Sequence, residues 1–242
     1  LQGTIKAIVQ NRAFATTLKE DGSGLVSEKV HFALALSFVT FCVVAIPSAL
    51  LGVVLYHLLS YFVQPELLRL GLVLAYGLAT PAFAYSGSLY SHQIVAALLF
   101  GAFYLLFRLK QHGRPSWLLA PAGAMVGLAI ITEYPAALIG LGLTVYAVLT
   151  APRKAMLLAY ALAGAPFGLA LIWYNLTIFH SPWPVGYFFS PLYSEQHGTG
   201  FLSLTHPTST ALWGITFGSD RGLFFLAPWL LLALPGIHSL FK

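Results

Sequence analysis

The side chains best suited to chemistry stand at the ends of apolar runs. Glu133 interrupts one run in Thr132-Glu133-Tyr134-Pro135, Asp220-Arg221 precedes another, His92 opens a third, and Glu28-Lys29 precede the first. A carboxylate held where charge is expensive is usually paired and suits the acceptance of a proton; its plainer reading is a helix-end carboxylate bonded to neighbouring backbone. Arg221, the basic residue of segment 177–222, carries a planar fork that matches a phosphate, or else anchors at the interface beside Asp220. His92 can bond a phosphate or orient a carboxylate, and it fits a satisfied interfacial histidine equally well. Tyr90 and Tyr187, with Tyr85, Tyr193, Trp183 and Trp213, offer faces to a sugar or a lipid, while an interfacial aromatic belt explains the same residues. His180, His197 and His206 are spaced too widely for a recognisable metal site, and no metal ligand is assigned. Group transfer from a phosphate-bearing donor needs a proton acceptor, a cation for the leaving phosphate and a grip on the sugar, and all three residue types occur.

These residues need elements to hold them, and the composition says which. With 58% hydrophobic and 8% charged residues and a mean hydropathy of +0.82, the chain lacks the polar surface to coat a soluble globule. An all-α polytopic membrane protein is expected, with about seven transmembrane helices forming a single membrane domain over 1–242. Residues 1–29 read as an outer juxtamembrane loop, 30–176 as spans one to six, 177–222 as a second outer loop and 223–242 as the last span. Span one covers 30 to about 63 with Pro47 inside, span two 67 to about 83, span three 94–107, span six 155 to about 177 and span seven 223 to about 237. Between 117 and 150, Pro135 pushes Tyr134 away from helical dihedrals, so two short helices are expected with Glu133 capping the hairpin between them. A carboxylate at that depth needs a partner, His92 or Arg221 first, since unpaired polar burial costs roughly 2–7 kcal/mol. The small residues from Gly164 to Gly168 suit close helix packing.

Threading these spans alternately puts Arg69, Arg108, Lys110, Arg114, Arg153, Lys154 and Lys242 on one side with Glu66, which reads as the cytoplasm. The other side receives Glu20, Asp21, Glu28, Glu133, Glu195 and Asp220, together with most of the non-repetitive polar sequence. A formal charge of +5 invites nucleic acid, but the basic residues lie between apolar segments, so membrane orientation explains them and no nucleic-acid partner is expected. The single cysteine, Cys42, lies in an apolar run and excludes a disulfide framework. The chain starts at Leu1 and stops just after an apolar segment, and reads as a piece of a longer protein.

At the outer segments the sequence resembles a family. Residues 175–187, Asn175-Leu176-Thr177-Ile178-Phe179-His180-Ser181-Pro182-Trp183-Pro184-Val185-Gly186-Tyr187, resemble the N-x-x-x-F-G-S-P-x-x-x-G-Y segment of bacterial GT-C glycosyltransferases of the protein-mannosyltransferase and aminoarabinose-transferase type, with His180 where those sequences usually have Gly. Gly218-Ser219-Asp220-Arg221-Gly222-Leu223-Phe224-Phe225-Leu226-Ala227-Pro228 looks like their S-x-x-R-G-L-F-x-x-S-P segment. Thr80-Pro81 through Tyr85, Tyr90 and His92, and Gly127 through Thr132-Glu133-Tyr134-Pro135, are similar in order and spacing, so the likeness covers roughly 70–237.

The resemblance implies a GT-C-like fold and an inverting transfer of a sugar from a polyprenyl-phosphate donor to an acceptor at the outer face. A bacterial plasma (inner) membrane location goes with it. In that family an acid in the first outer loop deprotonates the acceptor, after a first span that this chain lacks; Ser27-Glu28-Lys29 faintly resembles the late Asp-Lys pair of that loop. The family's base is carried onto no position; on their own chemistry Glu133, Glu28 and Asp220 are the carboxylates placed in catalytic roles, and Arg221, His92, Lys29, Tyr90, Asn175 and Tyr187 in substrate binding. Metal dependence, donor sugar and acceptor stay open. A lipid-sugar flippase or transporter is the alternative, for which ionisable residues or broken helices at mid-depth are the expected mark; a non-catalytic member of the same fold is the third reading.

Overall fold

The computed structural model describes residues 27–112, 116–182, 206 and 208–240, and every regular element among them is helical. The chain enters as α1 (Ser27–Thr40), widens into a π-helical stretch (Phe41–Ala45) and continues as α2 (Ile46–Leu59). Pro47 explains the widening. It has no N–H to donate, and its ring crowds the carbonyl four residues back, which ends or bends an ordinary helix. Here the preceding turn takes an extra residue, so that Ile46 N–H reaches Phe41 O, and the Ser48 hydroxyl donates to Val44 O at 2.7 Å. The backbone stays satisfied, as an apolar surround requires. Ser27, Glu28 and Lys29 thus open a helix and do not end a loop.

Among the described residues three helical stretches are long and apolar enough to cross a membrane: Lys29–Leu59, Ser91–Gln111 and Lys154–Phe179. At 1.5 Å per residue the 21 residues of the second extend about 31 Å, the thickness of a hydrocarbon core. The outer faces of the first and third are bare, with Phe38 68% exposed, Leu169 65% and Trp173 70%, while the second lies deeper in the bundle. Continuous apolar surface of that extent is tolerated in lipid and not in water. The chain is a helical membrane protein.

Not every expected span is one helix. After α3 (Glu66–Leu78) the chain breaks at 79–81 and resumes as the single turn-and-a-half α4 (Ala82–Ser86), where 67–83 was expected to be continuous. Pro81 forces the stop, and the Thr80 hydroxyl stabilises it by donating to Tyr76 O at 2.6 Å while accepting from Ala82 N–H at 3.1 Å. α5 (Ser91–His112) runs further at both ends than the expected 94–107. The hairpin reading of 117–150 holds: α6 (Leu119–Thr132) and α7 (Ala136–Thr150) flank an extended Glu133. α8 (Leu157–Phe179) continues through Pro166. Segment 177–222, expected as an outer loop, contains a helix, α9 (Ser209–Thr216), whose first turn is capped by the Thr208 side chain accepting from Ala211 N–H. The expected last span, 223–237, is three pieces: α10 (Leu223–Leu226), a 3₁₀ stretch (Pro228–Leu232) and α11 (Ala233–Leu240).

The core lies around α5. Val95, Leu99, Ala102, Leu106 and Leu109 recur at spacings of three and four, so they share one stripe, and they pack on Leu119, Ala122, Val126 and Ala129 of α6 and on Leu143 and Ala147 of α7. α6 and α8 meet backbone to backbone. A Cβ on Gly123 would lie 2.1 Å from Tyr160 O, one on Gly127 2.8 Å from Gly164 O, and one on Gly164 2.9 Å from Gly123 O. Small residues four apart let two membrane helices approach this closely, which dispersion alone then rewards. Gly164 fulfils the packing role expected of it, while Gly168 has open space around it. Gly123→Ala should force the helices apart and cost about 1–3 kcal/mol, the range for overpacking. Thermal melting in detergent checks this, with Gly142→Ala as a control since nothing lies within 4 Å there; equal melting temperatures would remove the seam from the account of stability.

The bundle has two chemically different ends. At one, Arg69 lies over Tyr56 at 4.9 Å, Arg108 over Tyr104 at 5.9 Å and Lys110 over Tyr146 at 6.0 Å, and Lys154 donates to Val148 O. Glu66 pairs with Arg69 there at 3.3 Å. At the other end stand His92, Glu133, Asp220 and Arg221.

Candidate active site

The 79–81 break, α4 and the start of α5 form one wall of an open cleft of about 1160 Å³. The other wall is the turn 218–222 with the break at Ala227-Pro228. That turn is wound tightly: Gly222 N–H donates to Gly218 O at 2.8 Å, and a Cβ on Gly222 would lie 2.5 Å from Gly218 N and O. Only glycine fits at that position, and the tight winding turns Asp220 and Arg221 outward, both exposed and both lining the cleft. The walls are joined by Trp229, whose indole N–H donates to Ala79 O at 3.0 Å across 150 positions of sequence. Ala79 O is free to accept because Phe83 N–H, its donor in an unbroken helix, is turned to Thr80 O. The proline that breaks α3 therefore also supplies the acceptor that holds the cleft together.

His92 stands in the first turn of α5 and lines the cleft. Its Nδ1 lies 2.8 Å from Glu133 Oε1, with the carboxylate mostly buried at 22% exposure and the imidazole at 54%. The backbone fixes Glu133 from both sides, its N–H on Ala129 O and its carbonyl accepting from Ala136 N–H, both at 3.0 Å. The expected partner of Glu133 is thus His92 and not Arg221. Glu133 is not among the cleft-lining residues. It sits behind the imidazole, takes Nδ1, and leaves Nε2 as the nitrogen available to a ligand. Tyr85 and Tyr90 complete the group: Tyr85 meets the His92 ring edge-on at 5.3 Å, and Tyr90 lies parallel to it at 6.3 Å and 7°. Beneath them Gln93, buried, donates from Nε2 to Tyr76 OH at 3.4 Å and ties α5 to α3.

The structure brings together His92, Glu133, Tyr90, Asp220 and Arg221, and places Lys29 and Asn175 elsewhere. Glu28 and Lys29 belong to the first turn of α1, and Lys29 does not line the cleft. Asn175, near the C-terminal end of α8, is fully buried with neither Oδ1 nor Nδ2 hydrogen-bonded, and it does not line the cleft. Tyr187 lies outside the described residues, as do Glu20, Asp21, Trp183, Tyr193, Glu195 and His197. His180 has φ 54° and its N–H returns to Leu176 O, so it is the left-handed residue that ends α8. That conformation favours glycine. Among the described residues no three His, Cys, Asp or Glu side chains gather as metal ligands would. Trp229 was missed in the sequence, where its only signal was its place after the helix-breaking Pro228.

No protein-family model, curated protein or solved structure matches the chain.

In chemical terms the cleft offers a guanidinium, a carboxylate and an oriented imidazole around aromatic rings. Asp220 and Arg221 have no side-chain hydrogen bond or ion pair among the described residues, so both are available to a ligand. That combination suits a phosphorylated, ring-bearing ligand better than a cation or an apolar one.

Proposed function

We propose that this protein is a membrane glycosyltransferase of GT-C type that moves a sugar from a polyprenyl-phosphate donor to an acceptor at the outer face of a bacterial plasma membrane. The shorter apolar helices would complete a multi-pass bundle of about seven spans around the three long ones. The observation that carries the reading is the cleft in which Arg221 and Asp220 face His92, Tyr85 and Tyr90 across a gap closed by Trp229. In this reading Arg221 holds the phosphate, whose charge grows as the glycosidic bond breaks. An imidazolium at His92, its Nδ1–H on Glu133, donates from Nε2 to the leaving phosphate oxygen. Asp220, the acidic side chain among the cleft-lining residues, takes the proton of the acceptor that attacks the anomeric carbon. Glu133 is then a positioning residue and not the base the sequence put it forward as. The resemblance of residues 70–237 to that family supports the same reading.

One observation favours the alternative of translocation: both walls of the cleft contain broken helices, at 79–81 and at Ala227, the mark of transporter sites. A single experiment separates the two. Purified full-length protein in proteoliposomes is given polyprenyl-phosphate carrying labelled sugars. Release of polyprenyl phosphate with label on an acceptor and inverted anomeric configuration is the expected result; movement of intact donor between leaflets without cleavage would replace transfer with translocation, and neither would sink both.

A further inference from the structure

A second pocket, independent of the cleft and of the reaction proposed for it, opens at the other end of the bundle. It measures about 370 Å³ and is lined by His57, Ser60, Tyr61, Tyr104 and Arg108. Each of these carries a hydrogen-bonding group, in a chain that is 58% hydrophobic. The pocket lies between the last turn of α2 and the last turns of α5, where Tyr61 packs edge-on against Phe107 at 5.1 Å. A helix C-terminus ordinarily repels anions through its unpaired carbonyls. Here those carbonyls are occupied: Tyr61 N–H donates to Leu58 O, Phe62 and Val63 N–H to Leu59 O, and the Ser60 hydroxyl to His57 O. What faces the pocket is the guanidinium of Arg108, exposed and lying along the Tyr104 ring, with an imidazole and two phenols. At this end of the bundle Arg69, Lys110, Arg153 and Lys154 stand against the single acid Glu66 among the described residues. Beside the pocket Phe62, whose ring meets Phe107 at 6.0 Å, is 66% exposed and makes that edge apolar.

We propose that this pocket binds the phosphodiester headgroup of an anionic phospholipid from the leaflet at that end, with Arg108 the main contact to the phosphate. His57, Tyr61 and Tyr104 supply further donors, and the acyl chains lie on the Phe62 side. A free phosphate would gain the same polar contacts and nothing from the rim; a zwitterionic lipid would bring its own cation into a positively charged end.

Full-length protein in nanodiscs made from equal parts phosphatidylglycerol and phosphatidylcholine tests this, with retained lipid read by native mass spectrometry. Phosphatidylglycerol should be retained preferentially, and Arg108→Ala should cut its retention about tenfold, the weight of one hydrogen bond to a charged group. His57→Ala should give a smaller loss. Lys110→Ala removes the same charge outside the pocket, from a residue that is also exposed, and should leave the preference intact. Equal retention of the two lipids, no effect of Arg108→Ala, or an equal loss in Lys110→Ala would overturn the site. Displacement of the lipid by inorganic phosphate would make it a free-anion site and overturn the lipid assignment as well.

Discussion

Arg221→Ala in the full-length protein is expected to lose two to three orders of magnitude in turnover, about 2.7–4 kcal/mol of transition-state stabilisation, while the protein still inserts and melts normally. The size follows from where the charge sits. Arg221 is held at the head of a turn too tight to tolerate a side chain at Gly222, has no partner among the described residues, and faces the cleft. The turn fixes its backbone, and its side chain has no structural partner to lose. Arg221→Lys should recover only part of the rate, because one ammonium cannot reproduce the two parallel bonds of the guanidinium fork. The assay is transfer of labelled sugar from lipid-linked donor by the purified protein. Unchanged turnover in Arg221→Ala would reduce this arginine to an interfacial anchor and take the phosphate site away from this cleft.

His92→Ala should cost about 10²–10⁴ in turnover, the usual weight of a positioned general acid. Glu133→Gln should cost less, about 10–100-fold, since it leaves the imidazole in place but removes the carboxylate that orients and stabilises it. The informative variant is the double one. If Glu133 acts only through His92, then His92→Ala with Glu133→Gln falls no further than His92→Ala alone, because the two residues share one function. A purely structural Glu133 would instead add its loss and lower the melting temperature. The kcat-against-KM split distinguishes them further: Glu133→Gln should act on kcat with KM nearly unchanged, since the carboxylate does not line the cleft.

The class of the protein was legible from composition, because no arrangement of so few polar residues covers a soluble surface. So was the hairpin at Glu133. Pro135 restricts Tyr134 locally, and a local steric rule needs no tertiary information to act. The reading failed where a proline's effect depends on its surroundings. Pro47 and Pro166 sit inside helices that continue, the first absorbed by a π turn and a serine hydroxyl, whereas Pro81 stops its helix, with a threonine before it ready to cap the next. Hydropathy sees the same apolar run in each case, which is why 67–83 and 223–237 read as unbroken spans.

That Glu133 would be paired could be anticipated from cost alone, since a carboxylate at the edge of a bilayer needs a partner. Which partner, and which of the two faces the ligand, could not. Sequence places His92 and Glu133 41 positions apart, and only the packing of α5 against α6 puts Nδ1 on the carboxylate and leaves Glu133 behind the ring. The same holds for Arg221 and His92, which share a cleft because an indole finds a carbonyl freed by a broken helix 150 residues away. Composition and local sterics determined the solvent this chain lives in and where it can turn; long-range packing and hydrogen bonding decided which of its few polar residues meet, because those contacts depend on where distant backbone is left unsatisfied.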